Sequence, residues 1–168
     1  TESMIKLSLA VYFAAFALAQ LVCGPLSDSW GRRKVTALFL VLYVLGSLVA
    51  AFGISIELLL VGRVLQGIGV SVGVALSRAM VRDQFTGAES IRILTLINLI
   101  LTVAPAIAPT LGSAILLAGS WHLLFLVMAA CGVGLIALIQ WGARETHAAA
   151  ARSPFHLGTI ARNYWLLL

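Results

Sequence analysis

The sequence has few charged residues, and acidic ones are the scarcest. Six Asp and Glu stand against eleven Lys and Arg, so that only 10% of the 168 residues are charged, whereas 61% are hydrophobic. A globule of this size leaves much of its surface in water, and so few polar residues could not cover that surface. The composition therefore excludes a soluble domain and predicts a chain whose main solvent is lipid.

Cysteine and histidine are also scarce, which excludes several kinds of site. Cys23 and Cys131 both lie in apolar runs, where we expect them to pack as small apolar side chains. The sequence therefore predicts neither a disulfide framework nor a metal site. An intramembrane enzyme would need a Ser–His pair or a cluster of carboxylates, and His122 stands at the outer edge with no second partner in the apolar runs. We therefore expect no catalytic residues and no enzyme.

Five continuous apolar runs predict five membrane-spanning helices. They cover residues 7–25, 35–56, 58–80, 93–117 and 121–141. Each provides the roughly 20 apolar residues that a helix needs to cross the hydrocarbon core, and none alternates as a barrel strand would. The connections are short, which makes neighbouring helices antiparallel. The predicted fold is therefore all-α, a polytopic membrane helical bundle.

The positions of the cations predict the orientation of this bundle. If the chain starts outside and crosses five times, segments 26–34, 81–92 and 142–168 face the cytoplasm. Nine of the eleven cations fall in or next to these segments, which is the bias that the positive-inside rule describes. The excess of Lys and Arg therefore indicates the membrane topology. Because no basic aromatic patch accompanies it, we expect no nucleic-acid partner.

The two ends of the sequence suggest an excerpt of a longer protein. The sequence begins with Thr1 instead of Met, and it contains an odd number of apolar runs. Residues 142–168 are rich in Ala, Arg and His before they turn apolar again at the end. We expect this last segment to be a cytoplasmic linker followed by the start of a further apolar segment.

A short charged loop separates the first two apolar runs. Gly24 and Pro25 are expected to end the first helix and turn the chain. Asp28 can cap the start of the next helix, because its negative charge would meet the positive end of the helix dipole.

The cations of the same loop can bind an acid on the next inner segment. Arg32 and Arg33 are the candidate donors, and Asp83 is the obvious acceptor. The alternative is a generic basic loop that only sets the topology.

Arg63 is the strongest indication of a functional site in the sequence, because it lies six residues into an apolar run. A charge within the bilayer costs from about 2.5 to above 10 kcal/mol unless it faces the bundle interior or a water-filled cavity. Gln66 and Gly67 share its helix face. No acid lies in the five runs, so its partner is expected in another helix or in a substrate. The alternative is an arginine that snorkels to the outer interface.

The fourth run combines a polar face with two prolines. Thr95, Asn98 and Thr102 share one side of the predicted helix, and Pro105 and Pro109 follow. Two prolines four residues apart remove two backbone hydrogen bonds and should kink the helix. Bent helices often border a transport path, although a kink that only improves packing is the alternative.

A spacing of four in the first run brings Tyr12, Phe16 and Gln20 to one face. Together with Asn98 and Thr102 they are candidates to line a cavity for aromatic or amphipathic solutes. Plain core packing is the alternative.

Three segments resemble motifs of the major facilitator superfamily of transporters. Residues 24–34 resemble the first cytoplasmic loop motif, Gly-x-Leu-x-Asp-x-x-Gly-Arg-Arg, and residues 62–69 resemble the Arg-x-x-Gln-Gly motif of the fourth helix. Residues 108–113 stand where drug:proton antiporters carry Gly-Pro-x-x-Gly-Gly, with Ala108 and Ser113 in place of glycines.

Further matches extend the resemblance over nearly the whole chain. They lie at residues 16–20, 79–83, 104–109 and 144–146, in order and at the right spacing. Together they resemble the Bcr/CflA type of drug:proton antiporter (bicyclomycin and chloramphenicol resistance). The resemblance implies that the five spans are the second to sixth helices of a twelve-helix protein, within its N-terminal six-helix half.

The resemblance also implies three groups of functional residues. A charged latch on the cytoplasmic face would consist of Gly24, Asp28, Gly31, Arg32, Arg33 and Asp83. The proton-coupling region would consist of Arg63, Gln66 and Gly67. The bent helix linked to antiport would be shaped by Pro105, Pro109 and Gly112.

We expect from this resemblance a secondary active transporter that exports small amphipathic drugs or metabolites in exchange for protons by alternating access. It would act as a monomer in a bacterial cytoplasmic membrane, with the proton gradient in place of a cofactor. Its partners would be the small-molecule substrate, protons and the lipid bilayer. The alternative is a symporter or facilitator that imports a small solute. An acid in the first of the twelve helices, which is not among these five spans, would distinguish the two.

Overall fold

A computed structural model describes residues 2–142, and in this range the chain forms five α-helices. They are α1 Glu2–Trp30, α2 Arg32–Phe52, α3 Ile56–Gln84, α4 Gly87–Ala118 and α5 Trp121–Gly142. All five are long and apolar enough to cross a membrane. The predicted all-α fold of membrane-length helices is confirmed. The predicted linker, apart from Gly142, lies outside the described residues.

The junction between α1 and α2 differs from the sequence prediction. The prediction that Gly24 and Pro25 end the first helix was wrong, because α1 continues through Pro25 to Trp30. The turn is confined to Gly31, whose φ of 97° is open to glycine but strained for other residues. Gly31 is also the residue that precedes α2, and no side chain caps that helix, so Asp28 does not have the capping role.

Two serines bind main-chain carbonyls within the last turns of α1. The Ser27 hydroxyl donates to the Gly24 carbonyl at 2.7 Å, and the Ser29 hydroxyl donates to the Pro25 carbonyl at 3.0 Å. Pro25 lacks the N–H that would bind the Leu21 carbonyl, yet the helix continues past it. The helix end is therefore set by Gly31 and not by Pro25.

The connection between α3 and α4 is shorter than the sequence suggests. The two helices run to Gln84 and from Gly87, so most of segment 81–92 is helical. With 32 residues, α4 is about 48 Å long at 1.5 Å per residue, which exceeds the roughly 30 Å hydrocarbon core. Helical structure thus continues beyond the apolar residues from which the spans were predicted.

The third helix is the centre of the bundle. It packs extensively on α1 and on α2, and α2 packs in turn on α5, whereas α4 touches α3 and α5 only lightly. The buried apolar cluster at the junction of the first three helices consists of Cys23, Val35, Phe39, Val72 and Leu76.

Glycines allow the helices around α3 to approach closely. A Cβ atom on Gly62 would lie 2.7 Å from the main-chain oxygen of Gly46 in α2, and a Cβ atom on Gly46 would lie equally close to the main-chain oxygen of Gly62. Gly67 faces α1 in the same manner, since a Cβ atom there would press on the Tyr12 carbonyl and the Phe16 amide. These contacts fix the distance between α3 and both neighbours.

Candidate functional site

Arg32 joins the end of α1, the start of α2 and the end of α3. Its Nη1 lies 2.7 Å from Asp28 Oδ1 in α1, and its Nε lies 3.1 Å from Asp83 Oδ2 in α3. Nη1 also donates to the Ser27 hydroxyl. The Arg32 side chain is 11% exposed and that of Asp83 25%, whereas Asp28 is 46% exposed and therefore better screened by solvent. Arg32 thus makes the contact with Asp83 that the sequence predicts, and its role as a latch stays a prediction.

Arg33, the next residue, binds a different helix. Its Nη2 donates to the main-chain oxygen of Gln140 at 2.6 Å and lies 3.1 Å from Gln140 Oε1. Arg33 therefore links the start of α2 to α5.

Arg63 lies in a polar and aromatic site formed by three helices. Its Nε donates to the Ser8 hydroxyl of α1 at 3.2 Å, and its Nη1 donates to Gln66 Oε1 at 3.3 Å. The guanidinium carbon is 5.4 Å from the centre of the Tyr12 ring and 5.5 Å from that of Phe125 in α5. Both distances fall in the range in which a cation is attracted to an aromatic face.

The side chain of Arg63 faces the bundle and does not snorkel outward. Arg63 lies seven residues after Ile56, the start of α3, which places it about 10 Å from that end of the helix. Its contacts come from α1, α3 and α5. Among residues 3–142 no carboxylate pairs with it, and none of them accepts a hydrogen bond from its Nη2. One edge of the guanidinium is thus available to a further acceptor.

Gln66 extends this site to the second helix. Its side chain is buried, and its Nε2 donates to the Ser47 hydroxyl oxygen of α2 at 2.8 Å. The same nitrogen lies 3.7 Å from Met128 Sδ of α5. Gly67, the next residue, lets α1 approach at this level. The three residues of the predicted proton-coupling group therefore contact α1, α2 and α5 within about one turn of α3.

The predicted cavity residues do not form one site. The Tyr12 ring lies beside the Arg63 guanidinium, and the main chain of Phe16 lies beside Gly67. Both residues are on the side of α1 that meets α3. Asn98 is instead exposed on α4, where its Oδ1 accepts from Arg78 Nη2 at 3.2 Å.

The remaining predicted cavity residues have separate surroundings. Thr102 donates to the Asn98 carbonyl of its own helix at 2.9 Å, and Gln20 is partly buried on α1. Within residues 2–142 no hydrogen bond joins the α1 group to the α4 group.

The bundle contains an apolar groove elsewhere, with a volume of about 560 Å³. None of the five predicted cavity residues lines it. Its walls are Val11, Ala14, Ala15, Leu18, Ala19, Val22, Phe39, Val64 and Ile68.

The proline motif lies on a side of α4 that the described helices do not cover. Pro105 and Pro109 are inside the continuous helix and are exposed. A Cβ atom on Gly112 would meet nothing within 4 Å. The role of these residues in a bent helix stays a prediction.

Four residues of the Arg63 site were not predicted from the sequence. Ser8, Ser47, Phe125 and Met128 come from three different helices. The serines did carry a signal, because each is an isolated hydroxyl in an apolar run, where polar side chains tend to bond across helices. Phe125 and Met128 carried none, because apolar residues surround them in the sequence.

The chain matches one protein family and is similar to several named proteins. The family model described as Major Facilitator Superfamily matches residues 1–165. An uncharacterized MFS-type transporter, YdgK of Bacillus subtilis (strain 168), is 39% identical over 170 residues, which is 100% of this chain and 42% of that protein. The multidrug resistance protein MdtL of Shewanella sp. (strain ANA-3) is 33% identical over 162 residues, 96% of this chain and 40% of that protein.

A further relative has the same description. The multidrug resistance protein MdtL of Escherichia coli (strain UTI89 / UPEC) is 32% identical over 150 residues, 89% of this chain and 38% of that protein. The chain thus spans about two fifths of the length of these curated relatives.

Proposed function

Because the chain belongs to the Major Facilitator Superfamily of transporters, we propose that the full-length protein exports small amphipathic drugs or metabolites in exchange for protons. The relatives described as multidrug resistance proteins support drugs as the substrate class. The proposal places a monomeric protein of the Bcr/CflA type in a bacterial cytoplasmic membrane, with the Arg32 end of the bundle inside. The excess of cations at that end supports this orientation.

The observation that carries the proposal is the Arg63 site. A permanent cation lies within a membrane-length helix, and its described partners are a serine, a glutamine and two aromatic rings. These neighbours hold the guanidinium without neutralising it. A fixed positive charge lowers the proton affinity of any carboxylate that comes near it. Such a site favours the release of a proton and can therefore couple proton movement to a change of state.

The Arg32 contacts support alternating access in the same proposal. One guanidinium ties α1 and α3 to the start of α2, so these inner ends are held together in the arrangement described above. Transporters of this kind move largely by rocking one bundle against another. The ion pairs would stabilise the half bundle as a rigid unit during this motion.

The test is a proton-flux measurement with the full-length protein in inside-out vesicles whose interior has been acidified. Candidate drugs are added while a pH-sensitive dye reports the gradient. Arg63→Ala is compared with the wild type. Arg92→Ala removes an exposed arginine near the start of α4 and serves as the control for loss of a cation. The proposal predicts a drug-dependent loss of the gradient in the wild type and in Arg92→Ala that is absent in Arg63→Ala.

Other outcomes contradict specific parts of the proposal. A drug response that persists in Arg63→Ala would keep the antiporter and remove the role of Arg63. If none of a broad panel of drugs affected the gradient while the protein was folded, drug export would be contradicted and an importer favoured.

A further inference from the structure

A line of three hydrogen bonds runs from the second helix to Arg63. The Ser47 hydroxyl donates to the Tyr43 carbonyl at 2.8 Å, and Gln66 Nε2 donates to Ser47 Oγ at 2.8 Å. At the other end of the amide, Arg63 Nη1 donates to Gln66 Oε1 at 3.3 Å. The line therefore connects the main chain of α2 with the charged group of α3.

The chemistry of the two ends fixes the direction of every bond in this line. A guanidinium can only donate, so it requires the oxygen end of the Gln66 amide. The single proton of Ser47 is already used on the Tyr43 carbonyl, so the Ser47 oxygen is left to accept. The nitrogen end of the amide is thereby matched to Ser47. Ser47 is 0% exposed and Gln66 1% exposed, so bulk water does not reach either group.

We infer that Ser47 is a positioning residue, which holds the Gln66 amide with its oxygen toward Arg63. The two ends of an amide have nearly the same shape, so packing alone does not select one orientation. Without the Ser47 oxygen, Gln66 Nε2 would keep only the sulfur of Met128 at 3.7 Å, which is a weak acceptor. Among residues 2–142, the 3.3 Å bond from Arg63 would then be the one strong interaction that orients the amide, and the amide would be held less firmly.

The structure offers a closely matched control in Ser71. Its side chain is also 0% exposed, and its hydroxyl also donates to a carbonyl of its own helix, that of Ile68 at 2.7 Å. It makes no hydrogen bond to Gln66 or Arg63. Ser71→Ala therefore removes a buried hydroxyl and a local hydrogen bond but leaves the line to Arg63 intact. Any effect confined to Ser47→Ala arises from the acceptor oxygen.

The first test reads the Gln66 amide directly and does not depend on transport. The full-length protein is labelled with ¹⁵N-glutamine in lipid nanodiscs, and the Gln66 side-chain signals are assigned by their loss in Gln66→Met. The inference predicts that Ser47→Ala shifts or broadens the Gln66 signals, while Ser71→Ala leaves them in place. Unchanged signals in Ser47→Ala, or equal changes in both variants, would overturn it.

The second test measures the consequence for transport and rests on the proposed function. The loss of one buried hydrogen bond predicts a fall in kcat/KM for drug-driven proton release of about tenfold in Ser47→Ala, with Ser71→Ala equal to the wild type. Equal rates in both variants and the wild type would overturn the role of Ser47 in transport. If the wild type itself released no protons, the proposed function would fail, and the amide signals would still decide whether Ser47 orients Gln66.

Discussion

Arg33 Nη2 lies 2.6 Å from the main-chain oxygen of Gln140, so the start of α2 is bound to the last turn of α5. Arg32, one residue earlier, is bound to Asp83 in α3. The two adjacent arginines at the start of α2 therefore hold two different helices, α3 and α5, against α2. Substitutions at the two positions are expected to have different effects.

Arg33→Ala is expected to destabilise the protein only slightly, by about 0.5 kcal/mol. The bond to Gln140 is exposed, and the interaction of an exposed cation is weak and screened by salt. The measurement is thermal unfolding of the purified full-length protein. Arg33→Lys keeps the charge and should restore most of the lost stability. A loss well above 1 kcal/mol would show that the bond to α5 is worth more than its exposure suggests.

Arg32→Ala is expected to cost more, about 1–2 kcal/mol in the same measurement. It removes the ion pair with Asp83, whose side chain is 25% exposed, together with the bonds to Asp28 and Ser27, and losing one partner of a partly shielded pair is more costly than losing an exposed one. High salt should reduce the difference in stability between Arg32→Ala and the wild type only in part. Equal losses in Arg32→Ala and Arg33→Ala would contradict this ranking.

The sequence was sufficient for the number of helices and insufficient for their ends and faces. Continuous apolar runs identify spans because only lipid accommodates them. Pro25 was misleading because a proline removes one backbone hydrogen bond without necessarily ending a membrane helix, and α1 continues past it to Trp30. Runs that are apolar on all sides carry little information about which face points inward.

The same limit explains what was and was not predictable of the Arg63 site. Gln66 follows from helical spacing, three residues further along α3. Ser47 and Phe125 come from other helices and are brought to the site only by packing. Asn98 shares a polar face on its own helix, but α4 turns that face to Arg78 and not to α1.

Gly62→Ala is expected to destabilise the bundle by about 1–3 kcal/mol, as overpacking does. The added methyl group would lie 2.7 Å from the Gly46 carbonyl oxygen and 2.8 Å from the Ala50 amide nitrogen, both of which belong to the backbone of α2. Gly73→Ala on the same helix is the matched control, since its methyl group would meet nothing within 4 Å. Thermal unfolding of both variants checks the prediction. Similar stability of the two would contradict the close approach of α2 and α3.

Tyr12→Leu is expected to lower kcat/KM for drug-driven proton release by about twofold to thirtyfold. The substitution removes an aromatic face 5.4 Å from the Arg63 guanidinium, and such a contact contributes about 0.5–2 kcal/mol. Tyr12→Phe keeps the ring and removes only a hydroxyl that makes no hydrogen bond within residues 2–142, so it should match the wild type. A defect in Tyr12→Phe as large as that in Tyr12→Leu would assign the effect to the hydroxyl instead.

The most direct test of the central claim is the uptake of a labelled drug by proteoliposomes that contain the full-length protein inside-out. The interior is made acidic by a buffer jump, and no other source of energy is present. The account predicts that the drug accumulates above its outside concentration, that accumulation stops when an ionophore collapses the pH gradient, and that Arg63→Ala does not accumulate it. Accumulation that is indifferent to the gradient, or drug movement out of the acidic interior, would contradict proton-driven export.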